Sequence, residues 1–164
     1  NGGRTDDARI KAFYDRMDAE GRRAKTTASA IEINRPVNLK KCLRALEATG
    51  GVVEKVTDQE ILDAKAQVGR GGLGCEPASA ASVAGTKKLV ARGVIDPGER
   101  VVCILTGHCL KDPNITVNYH TRSDGELQEL YKDYHVDRAS FANRPVVVED
   151  NMDAIVKVIE GLDQ

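Results

Sequence analysis

The chain has 164 residues, 41% of them hydrophobic, with 24 Lys and Arg against 25 Asp and Glu and a formal net charge of -1. That length suits one domain with a real core, and the balanced charge gives no field that would draw it to nucleic acid or a membrane surface. No apolar run approaches the roughly 20 residues of a spanning helix, and Asn1 to Asp7 has no signal-peptide core, so a soluble cytoplasmic protein with a small-molecule or protein partner is expected.

Asp6 to Glu20 carries Ile10, Phe13, Tyr14 and Met17 at helical spacing, an amphipathic helix whose apolar face serves packing. Gly21-Arg22-Arg23-Ala24-Lys25 reads as a solvated linker, with phosphate contact as the alternative. Thr27 to Ile33 reads as a strand or extended piece. Pro36 then disfavours helix at Arg35 and suits the first turn of the next helix. That helix directs Val37, Leu39, Cys42, Leu43 and Leu46 to the core and stops at Thr49-Gly50-Gly51. Val52 to Val56 reads as a short strand, and Asp58 as the N-cap of a helix holding Ile61, Leu62, Ala64 and Ala66 that closes at Gly69.

The cluster Gly69-Arg70-Gly71-Gly72-Leu73-Gly74 has neither the dinucleotide spacing nor a Lys-Ser or Lys-Thr ending, so it reads as a turn. After it, Cys75-Glu76-Pro77-Ala78-Ser79-Ala80-Ala81-Ser82 opens a helix with Pro in its first turn and small residues nearly all round, a helix suited to burial. Glu76 stands at the mouth of that helix, either as a cap favoured by the helix dipole or with a chemical task.

Pro97-Gly98-Glu99 is a turn signal before Val101 to Leu105, an unbroken apolar run expected as a central parallel strand covered on both faces. Such a strand delivers Thr106 and His108 to its carboxyl end, the edge where open α/β sheets bind ligands. The alternative is that Thr106 and Gly107 merely end the strand. Ile115 to Tyr119 is expected as a further strand, Asp124 to Tyr134 as a helix presenting Leu127, Leu130 and Tyr131, and Pro145 to Glu149 as an edge strand. Asn151 caps a last helix with Met152, Ile155, Val156, Val158, Ile159 and Leu162. The alternation predicts an α/β fold with an open, mainly parallel twisted sheet flanked by helices. Cys42, Cys75, Cys103 and Cys109 form no Cys-x-x-Cys pair, and His108, His120 and His135 are scattered. No metal site or disulfide framework is expected.

Three stretches carry a resemblance: Ala28-Ser-Ala-Ile-Glu-Ile-Asn-Arg-Pro36, Glu76-Pro-Ala-Ser-Ala-Ala-Ser82 and Leu105-Thr-Gly-His-Cys-Leu-Lys-Asp-Pro113. In their order and separation the chain resembles the carboxyl-terminal part of threonine synthases, pyridoxal-phosphate enzymes of the fold type II, tryptophan synthase β-like superfamily. The resemblance implies that Thr106 meets the cofactor's pyridine nitrogen with a neutral hydroxyl, that Gly107 allows close approach of the ring, and that Glu76 lies near the cofactor. It implies conversion of O-phospho-L-homoserine and water into L-threonine and orthophosphate. Asn34 and Arg35 fall in the segment near the substrate phosphate, where Gly-Asn-Pro is more usual; Arg35 points either to that phosphate, as a charge-assisted contact, or to solvent. Cys109 stands where glycine is common and is expected to be tolerated.

The resemblance also exposes an absence. The family's cofactor-linking lysine, in a Ser-Phe-Lys-Asp type motif, and its Gly-Asn-rich phosphate loop have no counterpart here. Asn1-Gly2-Gly3 does not match that loop, and Lys87, Lys88 and Lys111 have no matching context. Residues 1–164 are therefore expected to be the carboxyl-terminal part of the enzyme's large domain. No catalytic residue is assigned, and the chain is expected to be inactive alone. Its expected partner is the missing amino-terminal half, or a second copy through self-association. Another fold type II lyase, a dehydratase or a cysteate synthase-like enzyme, is the alternative enzyme. A non-catalytic α/β interaction domain is the alternative class.

Overall fold

A computed structural model describes residues 6–162; Asn1-Gly2-Gly3, weighed above against the phosphate loop, lies outside them. Among the described residues seven α-helices follow one another: α1 (Asp7–Ala19), α2 (Leu39–Thr49), α3 (Asp58–Arg70), α4 (Pro77–Ala91), α5 (Pro113–Thr121), α6 (Asp124–Leu130) and α7 (Met152–Leu162). Short 3-10 turns occur at Ser29–Ile31, Cys109–Lys111 and Lys132–Tyr134.

The core is the packing of α3 on α4. Thr57 caps α3 in a reciprocal capping box with Glu60, one residue before the Asp58 cap expected from sequence. Asp58 is instead used tertiarily, its Oδ1 accepting from Thr26 Oγ1, Thr27 N and Thr27 Oγ1 at 2.6–2.7 Å, which ties the segment before the first 3-10 turn to the start of α3. α3 buries Ile61, Leu62, Ala64 and Ala66; α4 answers with Ala80 and Ala84, small enough for the two backbones to approach. Tyr119 of α5, Leu127 of α6, Tyr131 and Val136 complete the cluster. Tyr119 donates its hydroxyl to Asp63 Oδ1 at 2.5 Å and accepts from Phe141 N at 3.2 Å.

The open sheet expected from the valine-rich runs is not formed: no strand pairing occurs among the described residues. Val101–Leu105 is not covered on both faces, since Val102 and Ile104 are 84% and 68% exposed and only Leu105 packs against the core. Val52–Val56 and Pro145–Glu149 likewise pair with nothing, and Thr27–Ile33 contains the turn Ser29–Ile31. An extended apolar run gains stability only when a neighbour completes its N–H···O ladder, and none of these runs lies in register with another. Ile115–Tyr119, expected as a strand, is the body of α5, where Pro113 at the helix start pre-sets the first turn.

Two helices differ from expectation in burial. α2 has its glycine stop, with Gly50 left-handed at φ 64°, but it buries no residue; Val37 precedes it and is exposed, as is Cys42. α7 is capped as expected, Asn151 Oδ1 accepting from Ala154 N at 2.8 Å, yet Met152, Ile155, Val156 and Ile159 are exposed. No helix among the described residues is long and apolar enough to cross a membrane.

Candidate functional site

The entry to α4 and the segment after Leu105 meet through the backbone, Glu76 N donating to Gly107 O at 2.9 Å. Pro77 begins the helix, and its ring removes an N–H that would have no partner there. Glu76 is the N-cap residue, but its carboxylate makes no cap bond. It turns across Gly107 instead: a Cβ on Gly107 would lie 2.0 Å from Oε1 and 2.3 Å from Cδ. Glu76 thus holds the N-cap position at the mouth of α4 without a side-chain cap hydrogen bond. The missing side chain at Gly107 leaves room for that carboxylate.

Around this buried carboxylate stand three groups. Thr106 Oγ1 donates to Glu76 Oε1 at 3.4 Å, and the Lys111 ammonium lies 3.4 Å from Oε1 and 3.3 Å from Oε2. Oε2 is buried and accepts no aligned hydrogen bond; Lys111 approaches it at ion-pair distance alone. Ser79, in the first turn of α4 and 2% exposed, accepts from Gly107 N at 2.9 Å and sits 3.1 Å from Thr106 Oγ1. Thr106 itself is an exposed residue. The result is an exposed threonine whose hydroxyl is held by two buried polar side chains.

All three stretches singled out in the sequence reach this place. Ser29 donates to Asp112 at 3.1 Å, linking the first stretch to the third, while Ser79 to Thr106 and Glu76 to Lys111 link the second to the third. Asn34 and Arg35 are not brought in. Asn34 Oδ1 accepts from Ala24 N at 2.5 Å, and Arg35 pairs with Asp18 while its guanidinium stacks 5.1 Å from the Tyr14 ring centroid. His108 caps the following 3-10 turn, its Nδ1 accepting from Leu110 N at 3.2 Å. Cys109 fills the space over Gly74, where a Cβ would lie 2.6 Å from its Sγ.

Sequence reasoning missed Ser79 and Lys111 as members of the cluster. Ser79 had a local signal, since it stands three residues after Glu76 and so shares the mouth of the same helix. Lys111 had none, because only the turn Cys109–Lys111 swings it back over Glu76. Lys65 was also missed. It is buried on α3, donates to Thr116 Oγ1 at 2.7 Å, and its pKa is lowered by burial. The same burial raises the Cys75 thiol, which keeps it protonated and unreactive.

The family described as "Pyridoxal-phosphate dependent enzyme" matches residues 6–107, a range that contains Glu76, Ser79, Thr106 and Gly107. A threonine synthase of Methanosarcina acetivorans is 44% identical over 137 residues, 83% of this chain and 28% of the relative. One of Methanocaldococcus jannaschii is 52% identical over 93 residues, 56% of this chain and 23% of the relative. The chloroplastic threonine synthase 2 of Arabidopsis thaliana is 30% identical over 135 residues, 82% of this chain and 24% of the relative. The chain thus spans about a quarter of the length of the curated relatives it matches.

Proposed function

Since the chain belongs to the pyridoxal-phosphate-dependent enzyme family, a family of α/β class, we propose that it is the carboxyl-terminal part of a threonine synthase, acting on O-phospho-L-homoserine and water to give L-threonine and orthophosphate. The observation that carries this reading is Thr106, an exposed residue whose hydroxyl is held by buried Ser79 and Glu76 within the segment that matches the family. The threonine synthase relatives support the choice of substrate.

The cluster suits pyridoxal phosphate. Thr106 would offer a neutral hydroxyl to the ring nitrogen from a fixed position, and Gly107, flat against Glu76, would raise no side chain beside it. Bound pyridoxal phosphate supplies an electron sink for the carbons of an amino-acid substrate. The chain's own residues orient that sink. Thr106 would hold the nitrogen edge, Ser79 and Gly107 N keep Thr106 in place, and Lys111 balances the buried Glu76 charge so that it would not dominate the ring's surroundings.

Asn34 and Arg35 are the residues we assign to the substrate phosphate. The Arg35 pair with Asp18 is surface-exposed on both sides, and such pairs are worth about 0–1 kcal/mol. Little therefore holds Arg35 to Asp18 against a dianionic phosphate.

The partner we assign is the remainder of a longer polypeptide that bears the cofactor-linking lysine. Val52, Val53, Val102, Ile104, Val146 and Val147 are exposed in this chain, and strands pairing with these runs would cover them and complete an open parallel sheet. The compartment we assign is the cytoplasm. Phosphate release from O-phospho-L-homoserine tests the whole reading: the complete polypeptide with pyridoxal phosphate releases phosphate and forms threonine, and the 164-residue chain alone does neither. Ammonia release from threonine or serine, or product formation only with sulfite, would replace the reading with a dehydratase or a cysteate synthase-like enzyme.

A further inference from the structure

We infer that Ser79 is a positioning residue that presents the Thr106 hydroxyl as a hydrogen-bond donor to the cofactor's ring nitrogen; the inference rests on the cofactor reading above. The number of protons fixes the polarity. Ser79 Oγ accepts from Gly107 N–H at 2.9 Å, so one of its lone pairs is committed by the backbone. Its Oγ is 3.1 Å from Thr106 Oγ1, and Thr106 Oγ1 is 3.4 Å from Glu76 Oε1, a carboxylate oxygen that accepts. Each hydroxyl has one proton. With Thr106 donating to Glu76, the Ser79 proton goes to Thr106, and every proton in the chain Gly107 N–H, Ser79 O–H, Thr106 O–H has an acceptor.

The reverse polarity fails on the same count. Were Thr106 to donate to Ser79, the Ser79 proton would be buried with no other acceptor among its hydrogen-bond partners, a state that buried hydroxyls avoid. Gly107 N–H, Ser79 and Thr106 therefore form a directed relay whose last proton is free to leave a long 3.4 Å contact for a better acceptor on the exposed side of Thr106. A hydroxyl that already accepts a hydrogen bond is polarised into a stronger donor. Ser79 reaches the cofactor through Thr106 and touches nothing of the reaction itself.

The test uses the complete polypeptide and pyridoxal phosphate as the probe, reading the dissociation constant and the visible absorbance of the bound cofactor. S79A is expected to weaken cofactor binding about fivefold, the worth of one neutral hydrogen bond, and to shift the absorbance; S79T restores both to within about twofold. S79C, similar in size and a poor donor, behaves as S79A and provides the comparison if the alanine variant does not fold. In a T106V background S79A adds less than about twofold, because there is no hydroxyl left to position. Wild-type affinity and absorbance in folded S79A or S79C, or the same fivefold loss with and without the Thr106 hydroxyl, overturns the inference while leaving the cofactor site intact. Failure of the wild-type polypeptide to bind pyridoxal phosphate overturns the cofactor reading, and this inference with it.

Discussion

Gly107→Ala isolates the reason for a glycine at the centre of the site. The added methyl would lie 2.0 Å from Glu76 Oε1, 2.3 Å from Cδ and 2.8 Å from Oε2. Ordinary contact begins near 3.4 Å, so the carboxylate must retreat by about 1.4 Å, comparable to a full bond length in an interior packed to crystalline density. Retreat is not free. The Glu76 and Gly107 backbones are joined at 2.9 Å, and the carboxylate would surrender its contacts with Thr106 and Lys111 while remaining buried. Overpacking of this kind costs about 1–3 kcal/mol, and a lost hydrogen bond to a charged group about 1.5–3 kcal/mol, with partial relaxation bringing the expected total to about 2–3 kcal/mol. Urea unfolding followed by far-UV circular dichroism reads this as a fall in midpoint of about 1–2 M at an unchanged slope. The control is Glu76→Ala combined with Gly107→Ala, where the obstacle is gone and the second substitution adds little to the first. A Gly107→Ala chain within about 0.5 kcal/mol of the parent, or strictly additive losses in the double variant, would refute the steric argument.

Further outcomes follow from the surface. The Glu60 carboxylate is opposed by burial, yet the Thr57 backbone N–H at 2.7 Å and the Lys88 ammonium at 3.1 Å outweigh that and lower its pKa. A carboxylate held below its unfolded value stabilises the fold above that value and ceases to do so as pH falls through the folded one. Glu60→Gln keeps the capping box and loses only the charge, so the two proteins should differ in urea midpoint at pH 7 and converge toward pH 3; a pH-independent difference argues against the charge as the cause. Arg35→Ala in the complete polypeptide should raise KM for O-phospho-L-homoserine about 10–100-fold with kcat within about threefold, the cost of a charge-assisted phosphate contact, and an unchanged KM leaves Arg35 as a partner of Asp18 alone.

The ends of α1, α2, α4 and α7 are legible in the sequence because each carries its own terms, whereas α5, expected as a strand, is not. Asp6 caps α1 through Ala8 N and Arg9 N, Gly50 ends α2 in a left-handed conformation, Pro77 opens α4 and Asn151 opens α7, all interactions within a few residues of chain. The apolar runs Val52–Val56 and Val101–Leu105 were read as sheet because their composition suits burial, but pairing is a property of a neighbour, and composition cannot say whether one is in register. The same limit applied to the site. Thr106, Gly107 and Glu76 were visible through the order and spacing of quoted stretches, whereas the role of Ser79, the return of Lys111 over Glu76 and the capture of Arg35 by Asp18 are contacts between residues 17–35 positions apart. Sequence determines local hydrogen bonding, because donor and acceptor arrive on one short piece of backbone. Which distant hydroxyl, ammonium or carboxylate finally meets another is decided by the packing of α3 on α4 and by the turns that leave them.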